Sequence, residues 1–263
     1  MQGYIGVEGL EDHVVAIPLE RLAAGVRALA ARPEVDGARL GAMAISKGSE
    51  ALLATAAAFP DLPLSALVLL SPSSVTWQAV GGDGAVPGVG SWTLAGEPLP
   101  FLAVHEEGLM PQFLRNAVFA RAERRRHEPA LIHLTASYAP GLEDAGERDR
   151  AAIAAELVPV PLLLGAGEGD QLWPSAPMAR DIAARRRGMT PSQPDRLVVL
   201  PGAGHLLRPP LLPTAGAWLD GIAFGGRPGE MAVGHARLWE DVLAFLGEHI
   251  RGIPASSLAA AVD

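Results

Sequence analysis

The feature that most constrains this 263-residue chain is an alternation of short, almost wholly apolar runs with longer helix-forming stretches. Arg39-Leu40-Gly41-Ala42-Met43-Ala44-Ile45 reads as a strand buried on both faces, the kind found inside parallel sheets. A helix from Lys47 to about Phe59 follows at once and is closed by Pro60. Ser65–Leu70, Val160–Leu164 and Arg196–Leu200 read as further buried strands. Apolar spacing predicts helices over Pro18–Arg32, Ser175–Arg186 and His235–Ile250. Strands alternating with helices predict an α/β fold with a parallel sheet flanked by helices. Ser71–Glu156 breaks the alternation with Gly/Pro-rich sequence and then a charged helical stretch from Leu109 to Arg126. It is read as a lid-like insertion, about 72–156, within one domain spanning 1–253. The small polar segment 254–263 is expected to be a flexible tail.

Composition removes several classes of function. The net charge is -8, so no nucleic-acid partner is expected, because neutralising phosphates requires a basic face. Cysteine is absent, which excludes disulfides, thiolate zinc sites and cysteine nucleophiles. The start, Met1-Gln2-Gly3-Tyr4, has neither a basic nor an apolar leader segment, and no apolar run is long enough to span a bilayer. A soluble, cytoplasmic protein is expected. Lys47 is the single lysine; the other members of the Lys+Arg set are arginines.

The first strand-to-helix junction reads Ala44-Ile45-Ser46-Lys47-Gly48. A nucleophile elbow places serine on a sharp turn between a strand and a helix, with small neighbours because the backbones crowd there. Ser46 would then lift its hydroxyl above the sheet, and the Lys47 backbone N–H would face a developing oxyanion at the helix N-terminus. Ala44 replaces the first glycine of the usual motif, and a serine that only N-caps the helix is the competing reading.

Two later loops bear on that choice. Gly165-Ala166-Gly167-Glu168-Gly169-Asp170 and Pro201-Gly202-Ala203-Gly204-His205 both follow predicted strands, at the carboxyl ends where open α/β sheets carry their sites. The chain order Ser46, Asp170, His205 is that of the α/β-hydrolases. His205 would act as general base and Asp170 would fix its tautomer; Glu168 is the alternative acid. His13, His105, His133 and His235 have no ligand-spaced partners, so no metal is expected. His249 is read as a cation near a helix C-terminus, and His127 simply follows Arg124-Arg125-Arg126. The cluster Arg121, Arg124, Arg125, Arg126 is read as a solvated face, or as an anion site for a phosphorylated substrate.

The sequence resembles the C-terminal catalytic domain shared by acyl-CoA thioesterases and bile acid-CoA:amino acid N-acyltransferases, related to dienelactone hydrolases. The resemblance rests on Ile17-Pro18-Leu19-Glu20, Ile45-Ser46-Lys47-Gly48, Ser91-Trp92-Thr93, Gly96-Glu97-Pro98-Leu99-Pro100, Asp170-Gln171-Leu172-Trp173-Pro174-Ser175, Gly202-Ala203-Gly204-His205 with Arg208-Pro209-Pro210, and Phe224-Gly225-Gly226. It implies an α/β-hydrolase fold with a Ser46–His205–Asp170 triad that cleaves acyl-CoA or a related ester through an acyl-enzyme, without a cofactor, and makes Arg124 and Arg125 the candidate contacts for the phosphates of coenzyme A. Transferases of that family typically use cysteine, so Ser46 tilts the expectation toward hydrolysis. Acyl transfer to an amine, small ester or lactone cleavage, and a catalytically impaired domain are the alternatives. Family members carry an N-terminal β-sandwich and further strands before the segment matching Gly3–Glu20. The expected sheet is therefore N-terminally truncated, with the elbow strand left at an apolar edge. A longer reading frame, a homo-oligomer covering that edge, or loss of activity would each follow from this.

Overall fold

The computed structural model describes residues 3–126, 131–188, 194–214, 218–219 and 221–252, with the backbone alone over 119–126. Its centre is a four-stranded, all-parallel sheet of β1 (Leu40–Ile45), β2 (Leu64–Leu70), β3 (Leu162–Gly167) and β4 (Arg196–Leu200), in that spatial order. The register runs through Met43↔Val68, Val68↔Leu163 and Gly165↔Val198. Helices α1 (Leu19–Ala30), α2 (Lys47–Ala58), α3 (Met110–Arg126), α4 (Ser175–Arg186) and α5 (Pro228–Arg251) complete the main elements. One core cluster joins α1, α2 and α4 to the sheet through Leu22, Leu53, Leu67, Leu164 and Ile182. A second joins α5 through Val68, Leu163, Leu238, Val242 and Phe245. Layers on both faces explain why β2 from Ala66 on and β3 carry no polar side chain: a strand covered on two sides cannot alternate polar residues.

Several predicted boundaries moved. The residue-level reading of β1 as buried on both faces does not hold, with Gly41 exposed and Met43 48% exposed, while its place at the edge of the sheet is the one the resemblance implies. An all-apolar hexapeptide reads the same in either position, because its side chains do not say which backbone groups are paired. β3 runs on to Gly167, taking in two glycines predicted for the following loop. Helix α5 begins seven residues before His235: Pro228 suits a first helical turn, and Gly229 and Gly234 are carried by the packing of a long buried face.

The segment 72–156 does leave the main sheet, yet its first part is packed interior. Val75, Trp77 and Ala79 are fully buried, and Gln78–Gly81 pairs antiparallel with Gly84–Gly90. Trp92–Leu94 pairs in parallel with Ile17–Pro18, so the insertion is stitched to the entrance of α1. A third cluster, containing Trp77, Leu102, Tyr138, Trp173 and Met178, ties the insertion to the loop before α4. The side chains of Arg121, Arg124, Arg125 and Arg126, together with His127 and the tail 254–263, lie outside the described residues.

Candidate active site

Ser46 sits between β1 and α2 with φ 57° and ψ -131°, a sparsely populated combination for a residue with a Cβ. Such a conformation costs about 1–3 kcal/mol and persists only where its surroundings impose it. Here the Ser46 N–H donates to the Leu70 carbonyl of β2 (2.9 Å), and the Ser46 carbonyl accepts from the N–H groups of Ser49 (2.8 Å) and Glu50 (3.1 Å). Both sides of the turn are thus fixed. Ala44, in place of the usual glycine, faces Gly48, where an added Cβ would lie 3.6 Å from the Ala44 methyl, so the turn accommodates it without crowding.

The hydroxyl makes no capping bond to its own helix. Ser46 Oγ lies instead 2.7 Å from His205 Nε2, and His205 Nδ1 lies 2.9 Å from Asp170 Oδ2. The network assigns the tautomer: an Nδ1–H donating to the carboxylate leaves Nε2 as the acceptor of the Ser46 O–H. The structure therefore brings Ser46, His205 and Asp170 together from three separate strand-end loops. Glu168 is not part of the group; its carboxylate pairs with Arg180 at the surface (2.6 Å).

Each member is held by several bonds. Asp170 Oδ2 also accepts from Ser175 Oγ (2.6 Å), while Oδ1 accepts from the N–H groups of Leu172 (2.9 Å) and Trp173 (3.2 Å). The carboxylate is 2% exposed. The His205 N–H donates to the Phe224 carbonyl (2.7 Å), and its own carbonyl accepts from Ser71 Oγ (2.6 Å). The imidazole meets Trp173 edge-on at 5.6 Å and stacks on Phe224 at 6.3 Å. Through Tyr138 and Trp77 that aromatic chain continues into the insertion. Gly204 makes the approach possible, since a Cβ there would overlap the Gly225 carbonyl oxygen.

Sequence reading missed Ser71, Ser175, Glu50 and Phe224. The signal for Ser175 was present, five residues beyond the acid and at the start of a helix. Nothing in the sequence marks Ser71, whose partner lies 134 residues away. His249 departs from its expected role: it packs edge-on against Phe245 (4.5 Å), and burial pushes its pKa down, favouring the neutral ring over a helix-end cation.

The Lys47 backbone N–H, at the first position of α2, has no acceptor within the helix. Beside Ser46 and His205 an apolar cavity of about 580 Å³ is lined by Ile45, Leu206, Trp218, Leu219, Phe224 and Trp239, with Arg208 also on its wall. A second cavity of about 580 Å³, lined by Tyr4, Leu22, Val26, Leu29 and Met43, opens on the other side of β1.

A parallel sheet between helical layers, with a serine on a strained strand-to-helix turn at its carboxyl edge, defines the α/β-hydrolase class. Within that class the chain belongs to the BAAT / acyl-CoA thioester hydrolase C-terminal family, whose model matches residues 104–252, more than half of the sequence. Asp170 and His205 fall inside the matched segment and Ser46 before it.

Among curated proteins, the chain is 23% identical over 253 residues to acyl-coenzyme A thioesterase 2, mitochondrial, of Mus musculus, covering 94% of this chain and 48% of that one. It is 24% identical over 255 residues to acyl-coenzyme A thioesterase 1 of Homo sapiens, covering 95% and 53%. The chain thus spans about half the length of these relatives. Solved structures similar to it include DcsB in complex with its substrate analogue (TM-score 0.43, 16% identity, 88% of this chain and 71% of that one). Another is the alpha/beta hydrolase GrgF from Penicillium sp. sh18 (TM-score 0.42, 17% identity, 89% and 71%). No helix among the described residues is long and apolar enough to cross a membrane.

Proposed function

We propose that this chain hydrolyses acyl-CoA thioesters through a Ser46–His205–Asp170 triad and an acyl-enzyme. Ser46 Oγ attacks the thioester carbonyl while His205 Nε2 takes the hydroxyl proton, and the carbonyl oxygen becomes an oxyanion held by the Lys47 N–H. Collapse of that intermediate breaks the C–S bond; coenzyme A leaves as a thiol with the proton returned by His205, and the acyl group stays on Ser46. Water, deprotonated by His205, then attacks the ester, releasing the acid and restoring the serine. Asp170 holds the imidazole in the required tautomer and stabilises the imidazolium formed in each half-reaction.

The observation that carries this reading is the pair of bonds on His205, 2.7 Å to Ser46 and 2.9 Å to Asp170, assembled from loops 35 and 159 residues apart in sequence. The family membership and the names of the relatives point to thioesters among the substrates such a triad can cleave. The apolar cavity beside Ile45 and Phe224 suits an acyl chain, with its aromatic wall ending next to the histidine. The test is release of free thiol from a panel of acyl-CoAs. The parent chain should show turnover and Ser46→Ala should not, and equal rates for the two would end the proposal.

A further inference from the structure

The single lysine of the chain stands in an electrostatically poor position. Lys47 opens α2, where the helix dipole disfavours a cation, and burying an ammonium is costly unless it is paired. Its side chain is nevertheless only 17% exposed. Nζ lies 2.8 and 3.0 Å from the two carboxylate oxygens of Glu50, one turn on in the same helix, and 2.8 Å from Ser91 Oγ. Glu50 is fully buried. Its Oε1 also accepts from the Trp77 backbone N–H (3.0 Å) and from the Trp92 indole N–H (2.7 Å). Ser91 Oγ in turn donates to the Trp77 carbonyl (2.8 Å), and the ammonium lies 5.8 Å from the Trp92 ring centre.

This arrangement clamps the first turn of α2, the turn that begins one residue after Ser46, to two segments of the insertion that are distant in sequence. A buried ion pair is weak evidence for stability, since apolar residues of similar volume often serve as well. Most of α2 is already anchored by buried alanines and Leu53. Helix ends tend to fray, whereas an oxyanion donor has to be held within a few tenths of an ångström of its target, so the ion pair adds a side-chain anchor to the backbone bonds that hold Ser46. A compact point charge with three rotatable donors meets Glu50 and Ser91 at once.

We propose that the Lys47 side chain and Glu50 are positioning residues for the acyl-transfer step: their ion pair, anchored on Ser91, Trp77 and Trp92, fixes the orientation of the Lys47 backbone N–H toward the oxyanion. This inference rests on the triad reading above. Lys47→Met keeps the backbone donor and much of the side-chain volume while removing the ammonium. Glu50→Gln keeps an acceptor for Trp77 and Trp92 while removing the charge. Ser91→Ala removes only one partner of Nζ and is the variant least able to disturb folding.

The measurements are kcat and KM on an acyl-CoA that the parent turns over, the rate of Ser46 labelling by a fluorophosphonate probe, and far-ultraviolet circular dichroism. Folded Lys47→Met and Glu50→Gln are expected to lose about tenfold to a hundredfold in kcat and in labelling rate, with KM within about twofold. Ser91→Ala should lose a smaller factor of the same kind, and it decides the matter if the other two do not fold. Folded variants that keep parental kcat and labelling overturn the inference and leave the triad reading intact. A parent that labels on Ser46 but turns over no acyl-CoA removes the thioester reading, while the labelling rates still judge the positioning role. A parent that does not label at all removes both.

Discussion

The two sides of Ser46 are built differently. On the inner side, toward β2 and β3, His205 and Asp170 are nearly inaccessible to solvent, the His205 backbone is bonded through both its N–H and its carbonyl, and the Asp170 carboxylate accepts three further hydrogen bonds. On the outer side β1 pairs only with β2 among the described residues, its far edge carries no charged side chain, and apolar cavities open above and below it. The proton-transfer half of the proposed chemistry is thus over-determined within this chain. The oxyanion half depends on one helix end and on the buried lysine–glutamate pair that steadies it. Natural sheets normally guard an exposed edge with charge, proline or a bulge; β1 has neither charge nor proline, and its one register irregularity lies at its start, between Leu40 and Gly41.

Substitutions test how unequal the two sides are. The largest effect is expected from His205→Ala, about 10⁶-fold in kcat, because removing one member of a triad disables the whole unit. Asp170→Asn should cost about 10⁴-fold while leaving the fold intact, since the amide would favour the wrong tautomer. Thiol-release kinetics on the same acyl-CoA check both. Ser175→Ala removes one of the donors to Asp170 and is expected to lower kcat about tenfold, the size of a single hydrogen bond to a charged group. A loss as large as that of Asp170→Asn would mean that the inner side is less redundant than its geometry indicates.

On the outer side, Met43→Lys places a charge on the bare edge. It should raise the temperature at which light scattering reports aggregation while changing stability by no more than about 0.5 kcal/mol. The smallest effect concerns His249, near the end of the helix whose Ile250 packs over Gly41. Burial lowers its pKa, so the unfolded chain takes up a proton that the folded one resists. The stability linked to this ring is present above about pH 6.5 and is lost as the pH falls below it. His249→Phe should flatten the fall in melting temperature between pH 7.5 and pH 5.5 that calorimetry records for the parent.

Much of this was legible in the residues. The four strands and the helices around them are visible because a doubly covered strand has to be apolar throughout, and the glycine-rich loops with their acid and base follow from where such sheets place their sites. The edge position of β1 was not legible in the strand's own residues, which read as buried on both faces, and came only from the resemblance, which left the elbow strand without a neighbour. Nor was the interior half of the insertion: Trp77 and Trp92 sit among glycines and prolines that read as surface. Glu50 drew no functional reading from the sequence, since an acidic residue in a first helical turn is ordinary there. Only the fold shows that the carboxylate points inward, with two tryptophans and a lysine closing around it.

The lone lysine also makes the chain its own reporter. A protease that cleaves only after lysine has one site in it, and that site lies in a helix turn sealed between Glu50 and the insertion. Digestion would have to wait for this turn to open. The pace at which one long and one short fragment accumulate would therefore clock the breathing of the elbow itself, without a label.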